Sequence, residues 1–205
     1  MISWQQALQR LRDGNQRFVS GTPRFEAGDS HARRRELVTG QNPFAIILGC
    51  SDSRVPAELV FDQGLGDLFV IRIAGNIVAP SQIGSVEFAA ESFGTPLVVV
   101  MGHSQCGAVT ATLSEIAQPT AQRSPNLRAI VERIRPALES LMATELRHDP
   151  AALMHEAIRA NIRASVNQLR HGSEILERLI TDGRLCIVGA EYSLASGEVA
   201  FLDAS

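Results

Sequence analysis

The chain has 205 residues, 45% of them hydrophobic and 20% charged, with a formal net charge of −3. That size fits one domain with a sizeable core, and the composition is that of an ordinary globular protein. The mildly acidic balance excludes the basic footprint of a nucleic-acid binder. The lone basic run Arg33-Arg34-Arg35, followed at once by Glu36, reads as a solvated helix face.

Three cysteines are an odd number at low density, which argues against a disulfide framework. The start Met1-Ile2-Ser3-Trp4-Gln5-Gln6 shows no basic segment followed by an apolar one, and no run approaches the ~18 apolar residues of a membrane span. The expectation is a cytoplasmic protein without membrane contact, whose reduced thiols are available as ligands.

Taken in order, residues 4 to 19 place Trp4, Ala7, Leu8, Leu11 and Phe18 on helical spacing, with Gly14-Asn15 marking a break or bend. This amphipathic helix has two docking surfaces open to it, its own domain or a partner subunit. A short helix over His31 to Thr39 follows, and Gly40-Gln41-Asn42-Pro43 punctuates before a first strand, Phe44 to Gly49. Pro56 opens a short helical turn, and Leu68 to Ile73 reads as a second buried strand. A helix over Gln82 to Ser92, a third strand over Leu97 to Met101 and a helix from Cys106 to Ile116 come next. Leu127, Ile130, Val131, Ile134 and Leu138 mark a helix over Ser124 to Leu141. Asp149-Pro150 is an N-cap with Pro at the first helical position, starting a long helix that ends near Gly172 and carries Ala152, Ile158, Ile162, Val166 and Leu169 as its apolar stripe. Ser173-Glu174 starts a further short helix. A strand over Arg184 to Tyr192 and a last one over Val199 to Leu202 close as a hairpin. Strands alternating with helices predict an α/β fold: a mainly parallel β-sheet with one antiparallel edge strand, flanked by helices, and an N-terminal helical arm. The division expected within this single domain is an arm over residues 1–40 and an α/β core over residues 41–205.

Two of the predicted strands end in reactive groups. Phe44 to Leu48 runs into Cys50-Ser51-Asp52-Ser53-Arg54, and Leu97 to Met101 runs into His103-Ser104-Gln105-Cys106-Gly107. Apolar residues giving way at once to polar ones is how a buried strand delivers side chains to a cleft at its carboxyl end. A buried cysteine at a strand end is by itself commonly inert, and His-x-x-Cys alone is a weak signal. If the two strands are parallel neighbours, however, Cys50, His103 and Cys106 meet at one sheet edge. That is a zinc ligand set of three protein groups, with the fourth position left to Asp52 or to water, the pattern of a catalytic site. Asp52 and Arg54, two apart, share a face, and an Arg-held carboxylate stays ionised and accepts a hydrogen bond. Beside a zinc-bound hydroxide, Asp52 would accept its proton and orient the oxygen. Released by Arg54, it would fill the fourth position instead. Cys186, inside Leu185-Cys186-Ile187-Val188, reads as core.

The paired motifs resemble those of the β-class carbonic anhydrases. The likeness extends to Leu11-Arg12-Asp13-Gly14-Asn15-Gln16-Arg17-Phe18, to Phe69-Val70-Ile71-Arg72 with Ala74-Gly75-Asn76, and to Gly189-Ala190-Glu191-Tyr192. The resemblance implies reversible hydration of CO2 to bicarbonate and a proton. It implies one zinc per subunit on Cys50, His103 and Cys106, Asp52 and Arg54 as the catalytic dyad with Asp52 a possible fourth ligand, and Gln41, Phe69, Ala74, Phe88 and Gly107 as the substrate pocket. It also implies a homodimer or a dimer of dimers, with clefts between subunits and the N-terminal helix embracing a partner. Phe88 stands where plant-like members often have Tyr. Of the Trp–Arg–Tyr set that binds regulatory bicarbonate in some members, Arg72 and Tyr192 match, while Ile47 replaces the Trp. Competing readings are a COS or CS2 hydrolase on the same scaffold and a non-catalytic zinc-binding protein. The Asp52–Arg54 dyad argues against the last, since a structural zinc site needs neither group.

Overall fold

A computed structural model describes residues 2–24, 30–119 and 124–202. In chain order the elements are α1 (Trp4–Ser20), α2 (Ser30–Glu36), β1 (Ala45–Gly49), α3 (Ala57–Val60), β2 (Leu68–Arg72), α4 (Pro80–Ser92), β3 (Leu97–His103), α5 (Gly107–Ala117), α6 (Pro125–Met142), α7 (Pro150–His171), α8 (Glu174–Thr181), β4 (Cys186–Tyr192) and β5 (Val199–Leu202). A tight turn over residues 74–76 follows β2, with Gly75 in the left-handed region at φ 70°. Several boundaries follow from capping: Ser124 caps α6, Asp149 caps α7 with Pro150 behind it, and Ser173 caps α8, each side chain accepting from backbone N–H groups of the first turn.

The strands form one sheet in the order β2-β1-β3-β4-β5. β1 is parallel to both β2 and β3, β3 is parallel to β4, and β5 closes antiparallel on β4. Alternate residues of the central strands feed two cores. Ile46, Leu48, Val98, Val100 and Ile187 pack against α4 to α8, while Ala45, Ile47, Val99, Met101 and Val188 pack against α1 and α3. Cys50 continues the first of these faces beyond the strand end, which delivers its sulfur to the thicker layer.

Three expectations are corrected. The helix α1 runs unbroken through Gly14-Asn15. A Cβ at Gly14 would fall 1.8 Å from the Phe61 carbonyl oxygen, so glycine is what lets α1 approach α3 so closely. Asn15 is buried and binds three backbone groups: it donates to the carbonyls of Val60 and Gly197 and accepts from Val199 N–H. Ala7, Leu8 and Leu11 are accordingly buried against their own chain. Next, β2 is the sheet edge instead of a buried strand: Phe69, Val70 and Ile71 are half-buried and Arg72 is exposed. An apolar run reports burial on both faces poorly when the covering element is missing on one side. Finally, Cys186 is half-buried where a core position was expected.

Candidate metal centre

The parallel pairing of β1 and β3, with Gly49 opposite Met101, sets the two strand ends side by side. His103 is the last residue of β3 and is wholly buried. The turn that follows is pinned by β4: Ser104 N–H donates to the Tyr192 carbonyl at 2.9 Å, and Ser104 Oγ accepts from Leu194 N–H at 2.9 Å. Gln105, with φ 58°, then reverses the chain so that Cys106 caps α5. Cys106 thus sits at the positive end of a helix, which favours a thiolate.

The sulfurs of Cys50 and Cys106 and a ring nitrogen of His103 all lie within 4.8 Å of one another. Zinc–ligand bonds of ~2.0–2.3 Å put tetrahedral donor atoms roughly 3.5–4 Å apart, so the cluster needs little closure to hold an ion. The hydrogen bonding of His103 leaves the right nitrogen for it. Nδ1 pairs with the Ser104 carbonyl at 2.9 Å, so that nitrogen carries the proton, and Nε2 is buried without a hydrogen-bond partner among the described residues. An orphaned imidazole nitrogen facing two sulfurs fits a soft divalent metal.

The charges are arranged to match. The Cys106 thiol hydrogen-bonds to Cys50 and draws its pKa down to about 4 against the effect of burial, with His103 and the N–H groups of Gly75 and Asp52 assisting. The same bond, together with burial, pushes the Cys106 thiol up. Burial pushes the His103 imidazole down, but the Cys50 sulfur, the Ser104 carbonyl and the Asp52 carboxylate together outweigh it and the net shift is upward. Two thiolates and a neutral imidazole would balance a divalent cation.

Beside the cluster, Arg54 forks onto Asp52: Nε donates to Oδ1 at 2.9 Å and Nη2 to Oδ2 at 2.7 Å, while the Arg54 backbone N–H donates to Oδ1 at 3.0 Å. This fork, opposed only by modest burial, holds the Asp52 carboxyl well below the usual carboxylate range. Asp52 Oδ2 lies 3.9 Å from His103 Nε2, beside the point on which the donors converge. Arg72 braces the loop from β2, its Nε donating to the Cys50 carbonyl at 3.1 Å and its Nη2 to the Asp52 carbonyl at 2.6 Å. Gly75 N–H donates to Cys50 Sγ at 3.3 Å.

The expected pocket residues divide. Ala74 and Gly107 adjoin the cluster, each next in sequence to a residue that touches it. Gln41 is exposed at the opposite end of β1, and Phe69 pairs with Ile46, about 13 Å along the strand from Cys50 at ~3.3 Å per residue. Phe69 packs with Phe88 and Phe93 (ring centroids 6.3 and 6.2 Å), and Phe88 is 54% exposed. A single chain therefore does not bring Gln41, Phe69 and Phe88 to the cluster. Ile47, in place of the regulatory Trp, is wholly buried in the α1 layer, and Arg72 is committed to the Cys50 loop. The bracing by Arg72 and Gly75 was not read from spacing. Neither was the pair of buried polar residues on α7, Asn161 and Ser165, whose signal is their position within that helix's apolar stripe.

Comparison with known proteins agrees with this geometry. The family model for carbonic anhydrase matches residues 45–199. Carbonic anhydrase 2 of Mycobacterium tuberculosis strain H37Rv is 39% identical over 197 residues, 96% of this chain and 92% of that protein. A carbonic anhydrase of Mycolicibacterium smegmatis is 41% identical over 194 residues, 94% of this chain and 90% of its own. Among solved structures, the β-carbonic anhydrase CcaA superposes with a TM-score of 0.75 at 28% identity, covering 97% of this chain and 88% of that one. The chain belongs to the β-carbonic anhydrases, a family of lyases whose general reaction is CO2 hydration and whose members are zinc enzymes.

Proposed function

We propose that this chain hydrates CO2 reversibly to bicarbonate and a proton, with one zinc held by Cys50, His103 and Cys106. The observation that carries the reading is the convergence of these three donors within 4.8 Å beside an Arg-forked carboxylate. Zinc bound there would act as a Lewis acid that makes water nucleophilic near neutral pH. Asp52, kept ionised by Arg54, accepts a hydrogen bond from the attacking water and turns its lone pair toward the carbon of CO2. Because Arg54 engages both Asp52 oxygens, the carboxylate is held back from the fourth coordination position. The buried walls of the site, Cys106 and His103 among them, exclude bulk water from the donors.

The pocket is proposed to form between subunits of a homodimer or a dimer of dimers, with Gln41, Phe69 and Phe88 serving a neighbouring chain's centre. Their distance from their own cluster supports this, as do the half-uncovered edge strand β2 and the tetrameric β-carbonic anhydrases of Sordaria macrospora, which share the fold with a TM-score of 0.75. Cys50, Cys106 and Cys186 are all free thiols, which supports a reducing, cytoplasmic location. Stopped-flow CO2 hydration run beside a COS hydrolysis assay tests the reading. Fast CO2 turnover with little COS activity is expected. A zinc-loaded chain that is inert to CO2, or acts only on COS, refutes it.

A further inference from the structure

Helix α7 carries two polar side chains on its buried face. Asn161 and Ser165, 2% and 4% exposed, lie four residues apart among Ala157, Ile158, Ile162 and Val166. An amide and a hydroxyl in such a stripe are unfavourable unless each is hydrogen-bonded. Both donate to one short turn: Asn161 Nδ2 to the Gly75 carbonyl at 2.8 Å and Ser165 Oγ to the Asn76 carbonyl at 3.0 Å. That turn consists of two consecutive left-handed residues, Gly75 at φ 70° and Asn76 at φ 43°. Space is equally restrictive, since a Cβ at Gly75 would stand 2.7 Å from Ile134 Cδ1 and 2.9 Å from Ala108 Cβ. Glycine adopts this region freely, but for Asn76 it carries a cost, so the contacts around the turn help to impose the conformation. Its product is the Gly75 N–H donated to Cys50 Sγ at 3.3 Å.

We propose that Asn161 and Ser165 are positioning residues of the metal centre: by holding the Gly75–Asn76 turn they aim the Gly75 N–H at the Cys50 sulfur and fix that sulfur for zinc. The inference rests on the zinc reading above and adds residues 86 and 89 positions away in sequence from the turn they hold. An N–H donated to a thiolate fixes the direction of the lone pairs left for the metal. Outer partners of this type change metal affinity by about 10–100-fold.

The test uses Asn161→Asp, nearly isosteric and, assayed where the carboxylate is ionised, unable to donate, and Ser165→Ala, the smallest deletion of a hydroxyl. Zinc affinity is measured by competition with a chromophoric chelator, expecting a loss of about 10–100-fold for Asn161→Asp and a smaller one for Ser165→Ala. A second readout is NMR of the cadmium-substituted, isotope-labelled protein, in which through-bond coupling between the metal and the Gly75 amide proton reports the N–H···S bond. The coupling is expected in the wild type and weakened in Ser165→Ala, so the proposal remains testable even if Asn161→Asp does not fold. Variants that bind zinc as tightly as the wild type, whatever their melting temperatures, would overturn the proposal, as would a wild-type spectrum without Gly75 coupling. A wild-type chain that binds no zinc at all would overturn the reading beneath it.

Discussion

The cluster at the carboxyl ends of β1 and β3 and the aromatic patch around Phe69 on β2 lie toward opposite ends of the sheet, and they differ in kind. At the cluster, Cys50, His103 and Cys106 are buried, the backbone around them is pinned by β4 and Arg72, Gly75 N–H holds the Cys50 sulfur, and the donor atoms already face one another. At the patch, Phe88 lies largely in the open and Gln41 is exposed, with no centre of their own chain nearby. One region is complete in the folded chain; the other would be completed by the assembly proposed above. A metal centre built on rigid strand ends should therefore respond to substitution in an all-or-none way, and the patch in a graded one.

Cys106→Ala should give the largest effect. With one of three donors gone, zinc stoichiometry should fall toward zero, and CO2 hydration with it, as read by elemental analysis beside stopped-flow assays. Asp52→Ala separates holding the metal from using it: zinc should stay at one per chain while the hydration rate drops about 10²–10⁴-fold, the usual worth of a placed proton acceptor. Phe88→Ala should leave zinc untouched and lower activity by less than about tenfold, or under ~1.4 kcal/mol, the low end of what apolar contacts in a pocket are worth. If Phe88 acts across an interface, mixing that variant with Cys106→Ala should recover some activity in hybrid oligomers. A patch variant that strips zinc would break the comparison outright.

Away from both regions, Leu11→Ala should cost about 2–5 kcal/mol by opening a cavity between α1 and the sheet. Zinc content of the folded fraction should not change. The smallest effect concerns pH. Because Arg54 holds the Asp52 carboxyl below its ordinary value, the pair contributes stability that is present above about pH 4 and is lost as pH falls through the lower, folded value. Arg54→Gln should thus be slightly less stable than wild type at neutral pH, and the gap should close in strong acid. The effect is modest because Arg54 is half exposed, so solvent screens the pair. Melting temperatures across an acid series read this directly.

What the sequence disclosed follows the same division. Cys50, Asp52, Arg54, His103 and Cys106 were legible because each sits where an apolar run stops, and because a parallel α/β pattern brings such stops together. Helix starts at Ser124, Asp149 and Ser173 were legible because capping is local chemistry. The continuity of α1 was not, since the glycine that suggests a break in one strand of text is, in space, the contact that seats the helix on Phe61. The edge position of β2 was hidden for a related reason: strand order is a property of pairing and not of composition. Asn161 and Ser165 were visible as polar letters in an apolar stripe, but their target, the Gly75–Asn76 turn, became readable only when the chain had folded over it.

In the function proposed above, one set of residues holds the metal while another governs its chemistry. The most direct test measures zinc content and CO2 hydration on the same preparation of Asp52→Ala. The account predicts one zinc per chain with hydration reduced to a small fraction of the wild-type rate. A variant that keeps its zinc and hydrates CO2 at the wild-type rate would contradict it.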